Sequence, residues 1–416
     1  MTKVEEYRNI IDFLNKEELL EFLAYKKSNK NYDRKEIEAI SSYISECAYE
    51  IEKAKIIKGK FPDEYATKKL ISKEGSEKKR VVYSYTDNVN ITLKFIAYKL
   101  HYFDKLFCHN CYSFRRKYGV KNAIDTIKGV SDIEKKYCLK VDIKNYFNSM
   151  DIDILLDKLE LFKTQDKYLY NVFTNILTEK KVVFNENIIE DRHGGMAGIP
   201  ISAFFANLYM TDIDNEFSTQ GQYYRYSDDI LIFASTYEEL LQLKQKLYNM
   251  LDKLKLEINP EKEKISKPYE EWEFLGFSYV NKQIDLSSNT INKMKRKIKR
   301  KANALRRWQK RKGLTEDKAA KGFINTFNRK LYGNDNEFSI EMCTKEFTWS
   351  RWFFPNITSI SSLKIIDKYM QEYIRYIITG RHYKGNYKIK YSKLKEWGYR
   401  SLVNEYYKWK KNIDET

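Results

Sequence analysis

The fold is decided by the stretch Tyr223-Tyr224-Arg225-Tyr226-Ser227-Asp228-Asp229-Ile230-Leu231-Ile232-Phe233. Tyrosines lead into it and an apolar, β-branched run leads out, which predicts two short strands joined by a tight turn. Ser and Asp are common turn residues, so a solvated acidic turn is one interpretation. The other is a divalent-cation site, because the adjacent carboxylates of Asp228 and Asp229 repel each other unless a cation shares their charge.

The composition indicates a polyanionic partner. The chain has 416 residues, which is enough for two or three domains. Lys and Arg outnumber Asp and Glu by 76 to 58, and the net charge of +18 suggests nucleic acid, although a merely soluble, Lys-rich protein is the alternative. No apolar run is long enough to span a membrane and Met1 to Asn9 lacks a signal-peptide core, so we expect a cytoplasmic protein without membrane contacts.

A second hairpin is predicted between Leu70 and Tyr83, where two apolar strands flank a polar turn that contains a glycine. This hairpin carries four cations, Lys73, Lys78, Lys79 and Arg80. Lysines that protect an exposed sheet edge are one interpretation. The favoured interpretation is a clamp for a triphosphate, made by an ammonium group and a guanidinium fork.

The five cysteines are scattered, as expected in a reduced compartment. Cys108 and Cys111 have the spacing of a zinc-binding pair, but no second pair follows at ligand spacing. Buried thiols are therefore the favoured prediction. The cluster Phe114-Arg115-Arg116-Lys117 that follows is a better candidate for phosphate contact.

A third chemical signal is the strand that ends in Asp142, with Phe147 five residues later. Phe147 is either a core residue at a helix start or the wall of a sugar pocket that excludes a ribose 2′-hydroxyl. Residues 151–183 are predicted to be helical. The glycine-rich loop at residues 193–202 precedes a helix, so its backbone can approach a ligand, and Ser202 is the predicted N-cap.

From Asn292 onward the sequence becomes strongly basic. Met294, Ile298, Ala302, Leu305 and Trp308 form an apolar stripe at helical spacing. We therefore expect a docked helix that faces a phosphate backbone rather than a disordered block of charge. Its predicted nucleic-acid-binding residues are Lys295, Arg296, Lys299, Arg300, Arg306 and Arg307.

Taken in order, the motifs over residues 70–280 resemble a reverse transcriptase. They are Val141-Asp142-Ile143 with Phe147, Gly195-Met196-Ala197-Gly198-Ile199-Pro200-Ile201-Ser202, Tyr226-Ser227-Asp228-Asp229, Asn259-Pro260-Glu261-Lys262 with Lys264, and Phe274-Leu275-Gly276-Phe277. The chain departs from the family in one place, because Met196-Ala197 replaces the Pro-Gln pair whose glutamine helps to position nucleotide and template.

The resemblance implies a role for each of these residues. Asp142, Asp228 and Asp229 match the catalytic carboxylates that hold two Mg²⁺ ions, with Mn²⁺ as a substitute, and the Ile143 carbonyl is a further predicted metal ligand. The predicted nucleotide-binding residues are Lys73, Arg80, Arg115, Phe147 and Lys264. In the family, the matches of Lys73 and Arg80 meet the incoming triphosphate, that of Phe147 excludes ribonucleotides and that of Lys264 lies near the leaving pyrophosphate. Arg115 is chosen from its basic cluster instead.

The resemblance also implies an α+β right-hand polymerase fold. Fingers (61–135 and 151–200) and palm (136–150 and 201–285) combine an antiparallel sheet with helices. An N-terminal helical extension (1–60) precedes them, and a mostly helical, basic, thumb-like domain (286–416) follows.

The predicted function is RNA-directed DNA synthesis from dNTPs. The C-terminal part, from Trp352 to Val403, is similar to bacterial defence-associated reverse transcriptases of the unknown-group or abortive-infection class, which implies a non-coding RNA as template and a role in antiphage defence. Two alternatives stay open. One is template-independent or protein-primed synthesis by a related abortive-infection polymerase, and the other is a non-catalytic, maturase-like RNA-binding protein.

Overall fold

The structure is a computed structural model that describes residues 8–28, 33–72, 79–219, 222–333 and 348–414. The chain packs as two compact units, Met1–Pro268 and Tyr269–Thr416. Helices combine with two four-stranded sheets in the first unit and with one three-stranded sheet in the second. Within the described ranges, no helix is both long and apolar enough to cross a membrane.

The first unit begins with helices and then alternates them with strands. Its α-helices are α1 (Ile10–Phe13), α2 (Lys16–Ser28), α3 (Arg34–Ser45), α4 (Ala48–Ile57), α5 (Asp87–Lys99), α6 (Val120–Lys128), α7 (Tyr146–Ser149), α8 (Ile152–Leu159), α9 (Leu161–Gln165), α10 (Lys167–Thr178), α11 (Ser202–Tyr209), α12 (Thr211–Ser218) and α13 (Tyr237–Lys253). Its strands are β1 (Ala66–Ser72), β2 (Lys79–Ser84), β3 (Tyr137–Asp142), β4 (Lys181–Phe184), β5 (Asn187–Glu190), β6 (Gln222–Tyr226), β7 (Asp229–Ala234) and β8 (Lys264–Ser266). One hydrophobic core runs through this unit from Ile10 to Leu256.

The two strands of the hairpin predicted between Leu70 and Tyr83 are present in a sheet of order β2-β1-β4-β5, and the turn between them, residues 73–78, lies outside the described residues. Strands β1 and β2 are antiparallel, with Ser72 opposite Lys79, while β1 and β4 are parallel. The prediction of helix throughout residues 151–183 is wrong at its end, because α10 stops at Thr178 and β4 follows. Val182, Val183 and Phe184 are β-branched or aromatic, which favours a strand there.

The second sheet carries the stretch from Tyr223 to Phe233. Its order is β6-β7-β3-β8, and all its neighbouring strands are antiparallel. Strand β7 is buried from Ile230 to Ala234, and α13 packs against it. A strand buried in this way needs the continuous apolar run that the sequence has.

The second unit is a small sheet followed by helices. Its strands are β9 (Trp272–Phe274), β10 (Phe277–Val280) and β11 (Gln283–Leu286), and its α-helices are α14 (Ser288–Lys312), α15 (Glu316–Tyr332), α16 (Trp349–Phe353), α17 (Ser361–Thr379), α18 (Tyr391–Glu396) and α19 (Leu402–Asp414). The division between units falls after Pro268, whereas the sequence places the end of the palm at residue 285. The subdomain boundaries stay a prediction, since a compact packing unit is not the same thing as a functional subdomain.

Helix α14 is the predicted basic helix. Ser287 caps its start by accepting the Thr290 N–H at 3.2 Å, and it ends at Gly313 in the left-handed conformation. Met294, Ile298 and Ala302 are buried as predicted. Trp308 is instead 44% exposed and Gln309 is buried, because the buried stripe follows a spacing of three and four residues through Leu305.

Candidate active site

The turn between β6 and β7 holds the first of the predicted carboxylates. Tyr226 and Asp229 pair across the strands, so Ser227 and Asp228 form a two-residue turn. Ser227 has φ +60° and Asp228 does not have a positive φ, which is the pattern of a type II′ hairpin turn. The Ser227 N–H donates to Ser113 Oγ at 2.9 Å, so a side chain from outside the hairpin also holds the turn.

Beneath the turn lies a buried ion pair that the sequence analysis did not find. Arg225 Nε and Nη2 donate to the two carboxylate oxygens of Asp214 at 2.7 and 2.5 Å, and both side chains are 0% exposed. Tyr223 also donates to Asp214 at 2.7 Å, and Arg225 Nη1 donates to the Ser227 carbonyl at 3.1 Å. The available signal was an arginine inside an aromatic strand. This pair ties the turn between β6 and β7 to α12.

The structure brings the three predicted catalytic carboxylates together. Asp142, the last residue of β3, lies directly opposite Asp229 in the β3–β7 register. The next residue, Ile143, donates its N–H to the Asp228 carbonyl at 3.0 Å. Two strand ends and one turn therefore gather carboxylates that are separated by 86 residues of sequence.

The electrostatics of this cluster favour a cation. Burial, together with the charges of Asp228 and Asp142, raises the pKa of Asp229 to about 7 against the opposing charge of Lys140. Burial and the charge of Asp142 likewise raise the pKa of Asp228. Asp229 Oδ1 is buried without a hydrogen bond, and the Lys140 ammonium is 3.6 Å away, too far to supply one.

These carboxylates fit a divalent metal ion by their chemistry. Hard cations prefer carboxylate oxygens, and a cation here would relieve both the repulsion and the unsatisfied oxygen of Asp229. Among the described residues, no group of three or more His, Cys, Asp and Glu side chains is arranged so that it could already hold a metal ion. Asp142 forms an ion pair with Lys262 instead.

Lys262 lies at the site, although the sequence predicts this role for Lys264 and not for Lys262. Its ammonium lies 2.6 Å from Asp142 Oδ2, and it stands in a short 3₁₀ turn, Pro260–Lys262. The Asn259 N–H donates to the Asp142 carbonyl at 2.8 Å and so holds that turn against β3. The predicted Lys264 is the first residue of β8, where it pairs in register with Lys140. Lys140 is thus the lysine beside Asp229, and Lys264 lies one strand further away, next to Lys140.

We expect Lys262→Gln to lower the half-saturating concentration of Mg²⁺ for DNA synthesis by about two- to fivefold. The lysine is 45% exposed, so its ion pair with Asp142 corresponds to about 0.2–1 kcal/mol, and its removal frees Asp142 for the metal. A magnesium titration of initial rates measures this change. Lys144→Gln is the control, since Lys144 pairs with Glu257. An unchanged or higher half-saturating concentration in Lys262→Gln would contradict the competition.

The structure describes only part of the cations in the hairpin between Leu70 and Tyr83. Arg80 is exposed on β2 opposite Ile71, and its charge lowers the pKa of Asp228 against the larger effect of burial. Arg80 therefore lies within electrostatic reach of the turn that holds Asp228. Lys73 lies outside the described residues.

Phe147 lies on the short helix α7, five residues after Asp142. It is half-buried, and its ring makes edge contacts with Phe114 and Tyr146 at centroid distances of 6.0 and 5.7 Å. Phe114 in turn lies 6.4 Å from Tyr226. The half-buried ring is compatible with both interpretations of Phe147, as a packing residue and as a wall.

The glycine-rich loop packs against strand β2. Gly198 has φ +109°, and a Cβ there would lie 2.8 Å from the Tyr83 carbonyl oxygen. Tyr83 donates its N–H to the Ala197 carbonyl at 2.8 Å, and the Ala197 N–H donates to Asn148 Oδ1 at 3.0 Å. Asn148 also donates to the Val81 carbonyl at 3.2 Å. The main chain thus joins loop, hairpin and α7 at the position where the family's glutamine is replaced by alanine.

Ser202 is not the N-cap that the sequence predicts. Helix α11 begins at Ser202 itself, after Ile201, and no side chain caps it. The Ser202 hydroxyl donates backward to the Met196 carbonyl, so it closes the glycine-rich loop instead. A hydroxyl one residue inside the helix has this loop carbonyl within reach, which a sequence pattern cannot reveal.

Arg115 has a structural role in this arrangement, and its predicted role in nucleotide binding stays a prediction. Its guanidinium donates to the carbonyls of Cys108, Cys111 and Asp104 at 2.8, 3.0 and 2.9 Å, and the side chain is buried. It also stacks 3.8 Å from the centre of the Tyr118 ring. Both terminal nitrogens take part in these contacts, so Arg115 holds the loop around Cys108, and the residue also lines a cavity together with Phe114 and Tyr226.

The thiol prediction for the same loop is right for one cysteine. Cys111 is buried, and its sulfur donates to Asn207 Oδ1 at 3.3 Å and accepts from Arg225 Nη2 at 3.1 Å. Cys108 is only half-buried, and its sulfur accepts the Asn110 N–H at 3.3 Å. Cys111 therefore helps Arg225 to support the turn between β6 and β7.

The predicted nucleic-acid-binding residues of α14 fall into two groups. Arg306 is used internally, because it donates to the Ile377 carbonyl at 2.6 Å and its guanidinium packs against Gly380. This contact fastens α14 to the end of α17, which the sequence could not reveal. The other predicted residues are exposed or half-buried: Lys295, Arg296, Lys299, Arg300 and Arg307.

Comparison with known proteins yields one family and distant structural likenesses. The model of the family "Reverse transcriptase (RNA-dependent DNA polymerase)" matches residues 71–279, half of the chain. No curated protein sequence matches the chain. A solved structure of apo telomerase from Candida tropicalis, truncated from its C-terminal domain, is 12% identical with a TM-score of 0.42, and the match covers 54% of this chain and 55% of that one.

A telomerase structure from Candida albicans, in complex with a TWJ fragment of telomeric RNA, is 13% identical with a TM-score of 0.41. That match covers 85% of this chain and 68% of the telomerase chain. This protein thus spans about half the length of the first structure. The family match and the mixed helical and antiparallel architecture agree with a right-hand polymerase fold. The chain belongs to the reverse transcriptase family, whose members are RNA-directed DNA polymerases and hence nucleotidyltransferases.

Proposed function

We propose that this protein copies RNA into DNA at the Asp142–Asp228–Asp229 cluster, using two Mg²⁺ ions. The observation that carries the proposal is the register of the central sheet, which sets Asp142 opposite Asp229 with Asp228 in the adjoining turn. Divalent ions held by these carboxylates would lower the pKa of a primer hydroxyl and neutralise the triphosphate and the leaving pyrophosphate. The Ile143 carbonyl stays a proposed additional ligand.

The protein's own side chains supply positioning and charge. Arg80 provides a guanidinium fork for the triphosphate, Lys262 places an ammonium group at Asp142, and Lys264, by its family match, provides one for the leaving pyrophosphate. The buried Arg225–Asp214 pair keeps the turn from moving as charge develops. Phosphoryl transfer needs positioning and electrostatic stabilisation more than covalent participation, so a site without a catalytic histidine is sufficient.

Incorporation of labelled dNTP on a defined RNA template with an annealed primer tests the activity. We expect synthesis that requires template, primer and a divalent cation. Synthesis without a template, or a labelled protein band that resists nuclease, would favour template-independent or protein-primed polymerisation. No incorporation under any condition would favour a maturase-like RNA-binding protein, although three clustered carboxylates are not needed for RNA binding.

We expect Phe147→Ala to reduce the preference for dNTP over rNTP by at least about tenfold. Removing the ring opens space for a 2′-hydroxyl, and a change of 1.36 kcal/mol in the relative barriers is sufficient for that factor. Single-nucleotide incorporation with matched dNTP and rNTP pairs measures the ratio. Phe184→Ala is the control, because Phe184 is a half-buried ring on β4. Unchanged discrimination in Phe147→Ala would favour the packing interpretation of this residue.

The biological setting that we propose is bacterial antiphage defence with a non-coding RNA as template. Its support is the resemblance of the segment from Trp352 to Val403 to defence-associated enzymes. Part of that segment has a structural role, because Tyr399 and Ser401 donate to the Asp367 carboxylate at 2.8 and 2.5 Å. Phage plating on cells with the wild-type gene or with Asp228→Asn tests the role. Equal plating on both strains would contradict a defence that depends on DNA synthesis.

A further inference from the structure

The segment that follows α17 forms an exposed loop rich in rings and cations. We infer that the loop of residues 381–388, in the second unit, is a docking site for single-stranded nucleic acid. The inference deepens the proposed function and rests on it, since a polymerase that copies RNA must hold unpaired strands. The inference is drawn from the residues of this loop, none of which is among the proposed catalytic residues.

Three aromatic rings of the loop face solvent. His382 stacks on Tyr376 with a centroid distance of 4.6 Å and an interplanar angle of 4°, and it meets the edge of Tyr373 at 5.0 Å. His382 is exposed, and Tyr383 and Tyr387 are 50% and 56% exposed. A nucleobase has the same flat face as these rings, so exposed stacked rings are what unpaired bases bind.

The charge around the rings has one sign. No acidic residue occurs between Glu372 and Glu396, while that interval contains seven Lys and Arg residues. Arg381, Lys384, Lys388 and Lys390 are exposed. None of these four forms an ion pair with an acidic side chain of the described ranges. Cations at this density attract a phosphate backbone, and they lie at the same place as the rings.

The loop is braced from within, so the rings are pre-organised. Buried Asn386 donates to the Arg381 carbonyl at 2.8 Å, and the Thr379 hydroxyl donates to the same carbonyl at 3.0 Å. Arg375 Nε donates to the Ile389 carbonyl at 3.0 Å. The Tyr383 ring packs directly over Gly385, where a Cβ would lie 2.3 Å from a ring carbon. A loop that is already ordered loses less entropy when it binds.

The combination favours a single strand over other polyanionic partners. A duplex keeps its bases paired and stacked, so it would use the cations and leave the rings without a partner. An acidic protein would likewise need the cations but not flat, exposed rings. RNA and DNA single strands share the chemistry that the loop recognises, and the binding experiment separates them.

The test is binding of labelled 12-nucleotide single-stranded RNA, single-stranded DNA and duplex RNA to the full-length protein, measured by fluorescence anisotropy. We expect Tyr383→Ala/Tyr387→Ala to weaken single-strand binding by at least about tenfold, since each stacked base contributes roughly a five- to 150-fold factor. Tyr383→Phe/Tyr387→Phe should restore binding, because it keeps the rings. Lys384→Gln/Lys388→Gln should reduce the slope of log K against log salt by about 1.4, or about 0.7 for each phosphate contact.

Tyr269→Ala/Tyr407→Ala is the matched control, because it removes two exposed tyrosines of the same unit outside the loop. Photocrosslinking with 4-thiouridine RNA gives a second readout, and we expect the crosslinked peptide to contain Tyr383 or Tyr387. Equal affinity in the loop and control variants, duplex binding that falls as much as single-strand binding, or crosslinks only outside the loop would each overturn the inference. Failure of the proposed function is distinct, since it appears as absent dNTP incorporation by the wild-type protein.

Discussion

Asp228→Asn is expected to reduce DNA synthesis by at least about a thousandfold. The substitution keeps the size of the side chain and removes one negative charge from the cluster formed with Asp142 and Asp229. Stabilisation of charge by a metal site contributes several kcal/mol, and about 4 kcal/mol corresponds to a factor of a thousand in rate. Single-nucleotide incorporation under saturating dNTP and Mg²⁺ measures the loss.

The same variant should not lose stability in the absence of metal. Burial and the neighbouring charge of Asp142 raise the pKa of Asp228, which means that its ionised form is unfavourable in the folded protein. Removing that charge is therefore expected to leave the melting temperature unchanged or higher. If Asp228→Asn melts well below the wild-type protein, its lost activity would reflect unfolding. If it retains activity, the catalytic centre lies elsewhere.

Asp214→Asn is expected to lower the free energy of unfolding by about 3–5 kcal/mol. Arg225 would keep its charge in a fully buried position and lose the carboxylate that now accepts two of its hydrogen bonds. Because Arg225 also holds the Ser227 carbonyl, we expect activity to fall with stability. Urea denaturation followed by circular dichroism measures the free energy.

Asp212→Asn is the control for this prediction. Asp212 lies on the same helix, α12, and pairs with Lys158 at 2.7 Å, but its side chain is 69% exposed. An exposed ion pair contributes about 0–1 kcal/mol, so this variant should remain close to the wild-type protein. Similar losses in Asp212→Asn and Asp214→Asn would contradict the importance of the buried pair.

The catalytic hairpin could be predicted from sequence because its signals are local. Aromatic and β-branched residues predict strands, Ser and Asp predict a turn, and the apolar run of β7 predicts burial. The pairing of Asp142 with Asp229 is not local, and the motif order of the family resemblance supplied it. The glycine-rich loop could be predicted from local signals, because its glycines stand directly before a helix.

The partners of individual cations could not be predicted. Arg115 and Arg306 stand in basic clusters whose composition suggests phosphate contact, yet their guanidinium groups bind main-chain carbonyls. Which carbonyls come within reach depends on how loops fold back, and no periodic pattern encodes that. Lys262 was passed over for Lys264 for a similar reason, because only the 3₁₀ turn aims its ammonium at Asp142.

The central claim is that the carboxylate cluster synthesises DNA on an RNA template. Its most direct test is to give the purified protein a defined RNA with an annealed primer, all four dNTPs and Mg²⁺, and then to sequence the product. Our account predicts DNA complementary to the RNA, made by the wild-type protein and absent with Asp228→Asn. DNA unrelated to the template, or an equal yield from both proteins, would contradict it.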